Sequence, residues 1–298
     1  MTETTNVATR PTRLGCVYLP QFAPEWLAAT ARGADEAGLD ELWVWEDCFL
    51  TGGISAAAIA LSSSNTLTVG VGVAPVPMRN PALTAMEVAT LARAFPGRVR
   101  VGVGHGVQDW MAQIGAKVGS PMTLLREHLT CITALLRGDR VTYQGRYVRL
   151  DDVALDWPPP PDTELLAAAV GPKTLRLTGE LASGTVITQC TTPAELREAV
   201  AHVRAGNALV GPTKESSIVV YVLSAAGPNA EADLAAEIKR WDADKTGDLG
   251  VCGTAEGIAL GVRRWVDAGA DTIVLQPPVD AAIEDFVRFA GTEVKPLL

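Results

Sequence analysis

The side chains best suited to moving a proton are two adjacent carboxylates and one histidine, each at the end of a strand-forming run. Glu46 and Asp47 follow Glu41–Trp45, and His105 follows Val99–Val103. Carboxylates and imidazoles are common general acids and bases in enzymes. Adjacent residues of an extended chain point to opposite sides, so Glu46 and Asp47 cannot act as a pair on one substrate atom. We expect one of them to face the interior and the other to cap a loop.

A second group of residues has the features of a phosphate site. Gly171, Pro172, Lys173 and Thr174 follow the apolar run Leu165–Val170 and open a helical pattern. Free N–H groups, the positive helix end, a lysine and a hydroxyl would therefore converge on one point. The other explanation is ordinary helix initiation, with Pro172 in the first turn.

The stretch Gly102-Val103-Gly104-His105-Gly106 is rich in glycine where a strand ends. Glycines allow the backbone to approach a flat or phosphorylated ligand closely. They would also relieve crowding where a strand leaves a barrel. The residues themselves leave both explanations open.

The strand ends carry few other reactive groups. No lysine ends a strand as a Schiff-base residue would, and no GxSxG nucleophile motif is present. Five cysteines are scattered without a CxxC pair or metal-ligand spacing, so we expect no metal site. A cofactor that brings its own reactivity fits such residues. The side chains that we expect to line the substrate pocket are Trp45, Gln108, Trp110 and Gln189.

These residues need a scaffold that gathers strand ends at one face, and the chain alternates strand-forming runs with helical patterns. The candidate strands are Leu14–Leu19, Glu41–Trp45, Leu67–Val73, Val99–Val103, Leu165–Val170, Gly184–Thr188, Ser217–Leu223 and Thr272–Leu275. The clearest helical patterns are Pro24–Ala37, Ala82–Ala94, Ser120–Leu136, Pro193–Ala205 and Ala255–Ala268. Several strands are continuously apolar, as in parallel sheets buried on both faces. This pattern favours an α/β fold, a (β/α)8 TIM barrel, over an open doubly wound sheet.

Two helix-to-strand junctions repeat each other near the ends of the chain, which supports a closed barrel. Residues 36–44 resemble residues 267–275 nearly position by position. Gly38 and Gly269 occupy equivalent places in the two junctions, and each suits the left-handed position that ends a helix.

The segment between the fourth and fifth strands, residues 105–164, is too long for a single crossover. It contains a helix and a predicted hairpin, Val141–Tyr143 with Tyr147–Leu150. Because it follows a strand, we expect an insertion after strand 4 that serves as a lid or substrate wall. We predict one domain over residues 1–298 with a flexible tail at residues 1–12.

Composition excludes several classes of partner. With 25 basic and 34 acidic residues, the net charge is 25 − 34 = −9. Such a chain repels nucleic acid and anionic lipid, so we expect neither as a partner. No apolar run reaches the roughly 18 residues of a spanning helix, and the polar start lacks a signal core. We expect a cytoplasmic protein that acts on a small molecule, and a homodimer is the default assembly.

Three segments together resemble the luciferase-like monooxygenase superfamily. They are Trp43-Val44-Trp45-Glu46-Asp47, the stretch from Leu67 to Gly104, and Ala169-Val170-Gly171-Pro172-Lys173-Thr174-Leu175-Arg176-Leu177. The likeness runs in order from about Leu14 to Leu275. Within the superfamily the chain looks most like the methylenetetrahydromethanopterin reductase-like oxidoreductases that depend on coenzyme F420.

The resemblance implies a barrel that binds a deazaflavin, coenzyme F420, or alternatively FMN, in its C-terminal mouth, with hydride transfer to or from a small organic substrate. It implies a non-prolyl cis peptide at Gly72–Val73, in a bulge that backs the ring together with Ala74. It also places the cofactor phosphate at Gly171–Thr174 and the turn Gly104-His105-Gly106 beside the ring. An FMN-dependent monooxygenase, a non-catalytic binding barrel and a sugar-phosphate barrel enzyme are the alternatives.

The chain departs from many relatives at the second strand, where they carry a histidine after the acidic residue and this chain reads Glu46-Asp47. The hypothesis for catalysis is that Asp47, or Glu46 if the register is shifted by one residue, hydrogen-bonds the substrate or the ring and exchanges a proton. His105 would assist it.

Overall fold

The computed structural model describes residues 12–241 and 248–298, so the predicted tail lies outside the described residues except for Thr12. The strands are β1 (Arg13–Val17), β2 (Glu41–Val44), β3 (Thr68–Pro75), β4 (Val99–Gly104), β5 (Val141–Gln144), β6 (Arg149–Val153), β7 (Glu164–Ala168), β8 (Gly184–Ile187), β9 (Ser217–Ala226), β10 (Gly250–Gly253) and β11 (Thr272–Gln276). The α-helices are α1 (Leu27–Glu36), α2 (Gly53–Ser62), α3 (Pro81–Ala94), α4 (Gln108–Gln113), α5 (Pro121–Leu136), α6 (Pro172–Leu181), α7 (Pro193–Asn207), α8 (Ala230–Arg240), α9 (Ala255–Val266) and α10 (Ile283–Phe289).

Eight parallel strands close into a barrel, which confirms the predicted TIM-barrel fold. Their order is β1-β2-β3-β4-β7-β8-β9-β11, and β11 pairs with β1 to complete the ring. All eight are the strands that the sequence predicts. The short strand β10 pairs only with β9, outside the ring, and was not predicted.

Glycines end the two matching junctions as predicted. Gly38 has a φ of 73° and Gly269 a φ of 109°, both in the region that disfavours other residues. Each lets the chain leave its helix and turn directly into β2 or β11.

The long segment after β4 divides into two parts. Its helix α5 packs against α3 and α6 and so provides the outer layer of the barrel at this point. The predicted hairpin is confirmed as β5 and β6, and it packs on α5, where the Glu127 carboxylate accepts hydrogen bonds from the N–H groups of residues 146–148 at 2.7 to 2.9 Å. Residues 105–120 form the connection between β4 and α5. The role of this connection as a lid or substrate wall stays a prediction.

The inward-pointing side chains of alternate strands form layers, as in other barrels of this type. At the N-terminal end, Arg100 of β4 donates to Glu41 of β2 at 3.0 Å and to Thr272 of β11 at 3.1 Å. A third bond joins Arg100 to Ser217 of β9 at 3.1 Å. This end of the barrel is closed by a charged cluster whose members are all paired.

Among residues 12–241 and 248–298, no helix has both the length and the apolar character needed to cross a bilayer.

Candidate active site

The centre of the C-terminal mouth is a bulge in β3. The peptide bond Gly72–Val73 is cis, as predicted, and the pairing of β3 with β4 shifts between Val71 and Ala74. A second non-prolyl cis bond, Cys48–Phe49, was not predicted.

The glycines of β4 make room for Val73. A Cβ added to Gly102 or Gly104 would lie 2.7 Å from a Val73 methyl carbon, well inside van der Waals contact. Relief of crowding, one of the two explanations that the sequence left open, therefore applies to Gly102 and Gly104.

Tyr221 of β9 supports the bulge from across the barrel, and sequence reasoning missed it. Its hydroxyl donates to the carbonyl oxygen of Gly72 at 3.1 Å. Its ring packs against the indoles of Trp43 and Trp45, with centroids 6.1 and 5.7 Å away. Burial raises the pKa of Tyr221 well above its usual value, so the phenol stays protonated as a donor. A hydroxyl-bearing side chain in an otherwise apolar part of the strand was the available signal.

Glu46 turns into the protein and pairs with Arg79, a residue from the turn after β3. Both carboxylate oxygens accept hydrogen bonds from the guanidinium, at 2.5 and 2.8 Å. The hydrogen-bonded ion pair with Glu46 raises the pKa of Arg79. Arg79 also donates a hydrogen bond to Glu87 of α3 at 3.1 Å. Glu46 therefore fastens the exit of β2 to the exit of β3.

Asp47 points the other way, as predicted for adjacent residues of an extended chain. It is half-buried, and the indole N–H of Trp45 donates to its Oδ2 at 2.8 Å. Burial raises the pKa of Asp47, although the Trp45 hydrogen bond and the positive charge of Arg240 oppose this shift. A carboxyl that holds its proton more readily than usual is suited to proton exchange.

A contact between His105 and Thr174 connects the predicted glycine-rich turn after β4 with the predicted phosphate site at the start of α6. His105 Nε2 lies 3.4 Å from the Thr174 hydroxyl, which joins the exit of β4 to the first turn of α6. Burial lowers the pKa of His105 and so favours the neutral ring, while the nearby Pro121 carbonyl opposes the shift. His105 Nδ1 is buried without a hydrogen-bond partner of acceptable geometry.

The turn that carries His105 is held by Gln108. Its amide nitrogen donates to the carbonyls of His105 at 3.3 Å and Gly106 at 3.2 Å. Gly106 has a φ of 69°, so a glycine is required there. Gln108 thus orders the loop beside the site that it was predicted to line.

The start of α6 can accept an anion. Gly171 is the N-cap residue and provides no side-chain cap, and the first turn carries no acidic side chain. The N–H groups of Lys173 and Thr174 have no acceptor within the helix, as in any first turn. Lys173 is exposed, and the helix dipole adds positive potential. Hydrogen-bond donors and a positive charge are what a phosphate requires, so the start of α6 fits the phosphate of the predicted cofactor.

The remaining predicted pocket residues lie on nearby strand exits. Trp110 is half-buried in α4, and Gln189 is half-buried just after β8. Their role in substrate binding stays a prediction. Over the described parts of the chain, no three His, Cys, Asp or Glu side chains are grouped to hold a metal ion.

Known proteins resemble the chain in sequence over most of its length. The family model described as luciferase-like monooxygenase matches residues 7–242. The 5,10-methylenetetrahydromethanopterin reductase of Methanolobus tindarius is 23% identical over 328 residues, covering 94% of this chain and 98% of that relative. The F420-dependent glucose-6-phosphate dehydrogenase of Beutenbergia cavernae is 33% identical over 183 residues, 56% of this chain and 54% of that enzyme.

Solved structures share the architecture. An F420-dependent secondary alcohol dehydrogenase, in complex with an F420-acetone adduct, superimposes with a TM-score of 0.85 and 18% identity. The match covers 97% of this chain and 99% of that one, which shows the same fold. The family match spans far more than half of the sequence, and the predicted resemblance is confirmed. The chain belongs to the luciferase-like monooxygenase family.

Proposed function

We propose that the protein is an oxidoreductase that uses coenzyme F420 and transfers a hydride between the deazaflavin ring and a small organic substrate. The observation that carries this proposal is the contact between His105 and Thr174. It sets an uncapped helix N-terminus, which suits the cofactor's phosphate, beside the His105 imidazole. The similar proteins described above are one reductase and two dehydrogenases, and both dehydrogenases depend on F420.

Two groups of residues would bind the two ends of the cofactor, the phosphate and the ring. Gly171, Pro172, Lys173 and Thr174 would hold the phosphate through N–H groups, a hydroxyl and one positive charge. Gly72, Val73 and Ala74 would back the ring, with the turn Gly104-His105-Gly106 at its side. When bound, the deazaflavin supplies the carbon that accepts or donates the hydride.

Asp47 is the proposed proton-exchanging group. In the reducing direction the substrate carbon gains a hydride, and the attached heteroatom gains a proton from the Asp47 carboxyl. Trp45 orients that carboxyl through its 2.8 Å hydrogen bond. Glu46 is committed to Arg79, so we assign it a positioning role instead of the acid–base role that the sequence left open to it.

The substrate is proposed to be neutral or weakly polar, and Trp45, Gln108, Trp110 and Gln189 would line its pocket. Hydride transfer requires donor and acceptor carbons about 3 to 3.5 Å apart, which is chiefly a demand on positioning. Trp45 packs against Tyr221 with the ring planes tilted by 46°, and this contact would give the pocket a rigid wall.

A binding titration with F420 and, in parallel, with FMN tests the proposal through the fluorescence of each ring. Micromolar binding of F420 with weak or no binding of FMN supports it. Preference for FMN, with oxygen uptake on reduction, would favour a monooxygenase instead. Binding of neither by folded protein would leave a non-catalytic barrel.

A variant pair tests the phosphate site within the same titration. Lys173→Met removes the charge at the α6 N-terminus and should weaken F420 binding about fivefold. It should leave unchanged the affinity for the deazaflavin riboside, which lacks the phosphate. Arg197→Met removes an exposed charge on α7 and serves as the matched control.

A further inference from the structure

The last barrel strand ends in a buried amide that has no partner. Gln276 is fully shielded from solvent, and both its side-chain oxygen and its side-chain nitrogen lack a hydrogen bond. A primary amide can make up to four hydrogen bonds, and burying one unpaired is costly. Folding alone therefore gives no reason to have glutamine in place of an apolar residue here.

The register of the barrel places Gln276 at the catalytic end. Thr272 points inward, because its hydroxyl accepts a hydrogen bond from Arg100 in the N-terminal cluster. Side chains alternate along a strand, so Val274 and Gln276 also point inward, each one layer nearer the mouth. The same alternation on β2 leads from Glu41 inward through Trp43 to Trp45.

Counted around the ring from β1, the second, fourth, sixth and eighth strands are β2, β4, β8 and β11. The same alternation on these four strands defines one layer at the mouth. That layer consists of Trp45, Gly104, Thr188 and Gln276. Barrels of this kind draw each layer from alternate strands, which gives four members. The packing of Trp45 on Tyr221, one layer below, agrees with this order.

Within that layer Gln276 lies opposite Gly104. The third and fourth strands of the ring carry the bulge and the glycine turn, and β11 closes the ring on the far side. A flat ring backed by the bulge at Val73 would have Gln276 across the mouth from it, within reach of its far edge. The pyrimidine part of a deazaflavin has neighbouring C=O and N–H groups along its edge, which complement the N–H and C=O of a primary amide.

We propose that Gln276 is a cofactor-binding residue whose side-chain amide pairs with the pyrimidine edge of the deazaflavin ring. The proposal rests on the proposed use of F420. It explains why an unpaired amide is kept at the floor of the mouth, whereas Arg100, Glu41, Thr272 and Ser217 at the opposite end are hydrogen-bonded to one another.

Gln276→Met tests it, because methionine has similar length and no strong hydrogen-bonding group. F420 affinity should fall about tenfold or more, since two hydrogen bonds to the ring are lost. The same loss should occur with the deazaflavin riboside, which separates a ring contact from the phosphate contact of Lys173. Gln144→Met, on the exposed face of the hairpin, is the matched control and should bind both ligands like the wild type.

The melting temperature of the cofactor-free protein provides a second readout. Gln276→Met, and Gln276→Leu as a second apolar variant, should melt at or above the wild-type temperature, because each removes an unpaired buried amide. Lower melting of both variants would show that the amide is structural and would overturn the proposal. Equal F420 affinity of wild type and Gln276→Met would overturn it while leaving the proposed function intact, whereas failure of the wild type to bind F420 would refute the proposed function itself.

Discussion

Replacing Gly104 with alanine should destabilise the protein through one identified contact, the Val73 side chain. The added Cβ would lie 2.7 Å from Val73 Cγ2, which is at least 0.7 Å closer than the ordinary contact range that begins at 3.4 Å. Val73 is β-branched and has little freedom to rotate away. Overpacking of this kind costs about 1 to 3 kcal/mol, which corresponds to a roughly 5- to 150-fold change in the unfolding equilibrium.

The double variant isolates this contact. Val73→Ala removes both methyl groups and by itself should cost about 1 to 2 kcal/mol, because the side chain is only half-buried. In the Gly104→Ala, Val73→Ala protein the nearest remaining atoms are Cβ of Ala168 at 3.6 Å and Cβ of residue 73 at 3.8 Å, both ordinary contacts. The alanine at 104 should then cost almost nothing.

Gly102→Ala is the matched comparison, because its Cβ would meet a Val73 methyl at 2.7 Å and also the Val71 carbonyl oxygen at 3.1 Å. Val73→Ala does not relieve the contact with the Val71 carbonyl oxygen, so it should restore the stability of Gly102→Ala only in part. Urea unfolding at 25 °C gives the free energy of each of the five variants and of the wild type. If the costs of Gly104→Ala and Val73→Ala simply add to within about 0.5 kcal/mol, the packing explanation is wrong.

Three further outcomes follow from the site and its surroundings. Asp47→Asn should lower turnover at least about 100-fold while F420 affinity, measured by fluorescence, stays the same; unchanged turnover would remove Asp47 from proton exchange. Arg79→Met should cost about 3 to 5 kcal/mol in urea unfolding, because it leaves the buried Glu46 carboxylate without an opposite charge, and a loss below 1 kcal/mol would contradict the role given to this pair. Burial lowers the pKa of His128 to about 4, whereas the unfolded chain has a histidine pKa near 6.5. As pH falls from 6.5 toward 4, the unfolded state takes up a proton that the folded state does not, so the free energy of unfolding decreases. Between pH 7 and pH 5 the free energy of unfolding of His128→Leu should therefore decrease by about 2 kcal/mol less than that of the wild type.

Local patterns were sufficient to predict the barrel. Continuously apolar runs mark strands such as β9, and the paired glycines Gly38 and Gly269 mark the helix ends, because each signal depends on the neighbouring residues alone. Helix α2 was missed since its alanine-rich sequence has no apolar stripe to reveal it. Strand β10 was missed because four residues beside β9 need no pattern of their own.

The candidate site was predicted only in outline, because its contacts join residues far apart in the chain. The sequence brought out Asp47, with Glu46 as the alternative if the register is shifted, and it is Arg79, 33 positions after Glu46, that separates their roles. In the same way, Gly102 and Gly104 look like a ligand-binding turn until Val73 is placed over them. A partner that arrives from another strand leaves no trace in the local pattern.

The two ends of the barrel differ in whether their inward polar groups are paired, and this difference supports a ligand site at the C-terminal end. At the N-terminal end Arg100, Glu41 and Thr272 bond one another, which stabilises the closed ring. At the C-terminal end His105 Nδ1 and the Gln276 amide are buried and unpaired. His128 Nδ1 and Thr133 Oγ1 of the outer helix α5 are also buried without a partner, so a missing partner indicates a ligand only for a side chain that points into the mouth, as the Gln276 amide does. Sequence alone cannot make this distinction, because whether a glutamine or histidine is paired depends on the strand register and not on its neighbours in the chain.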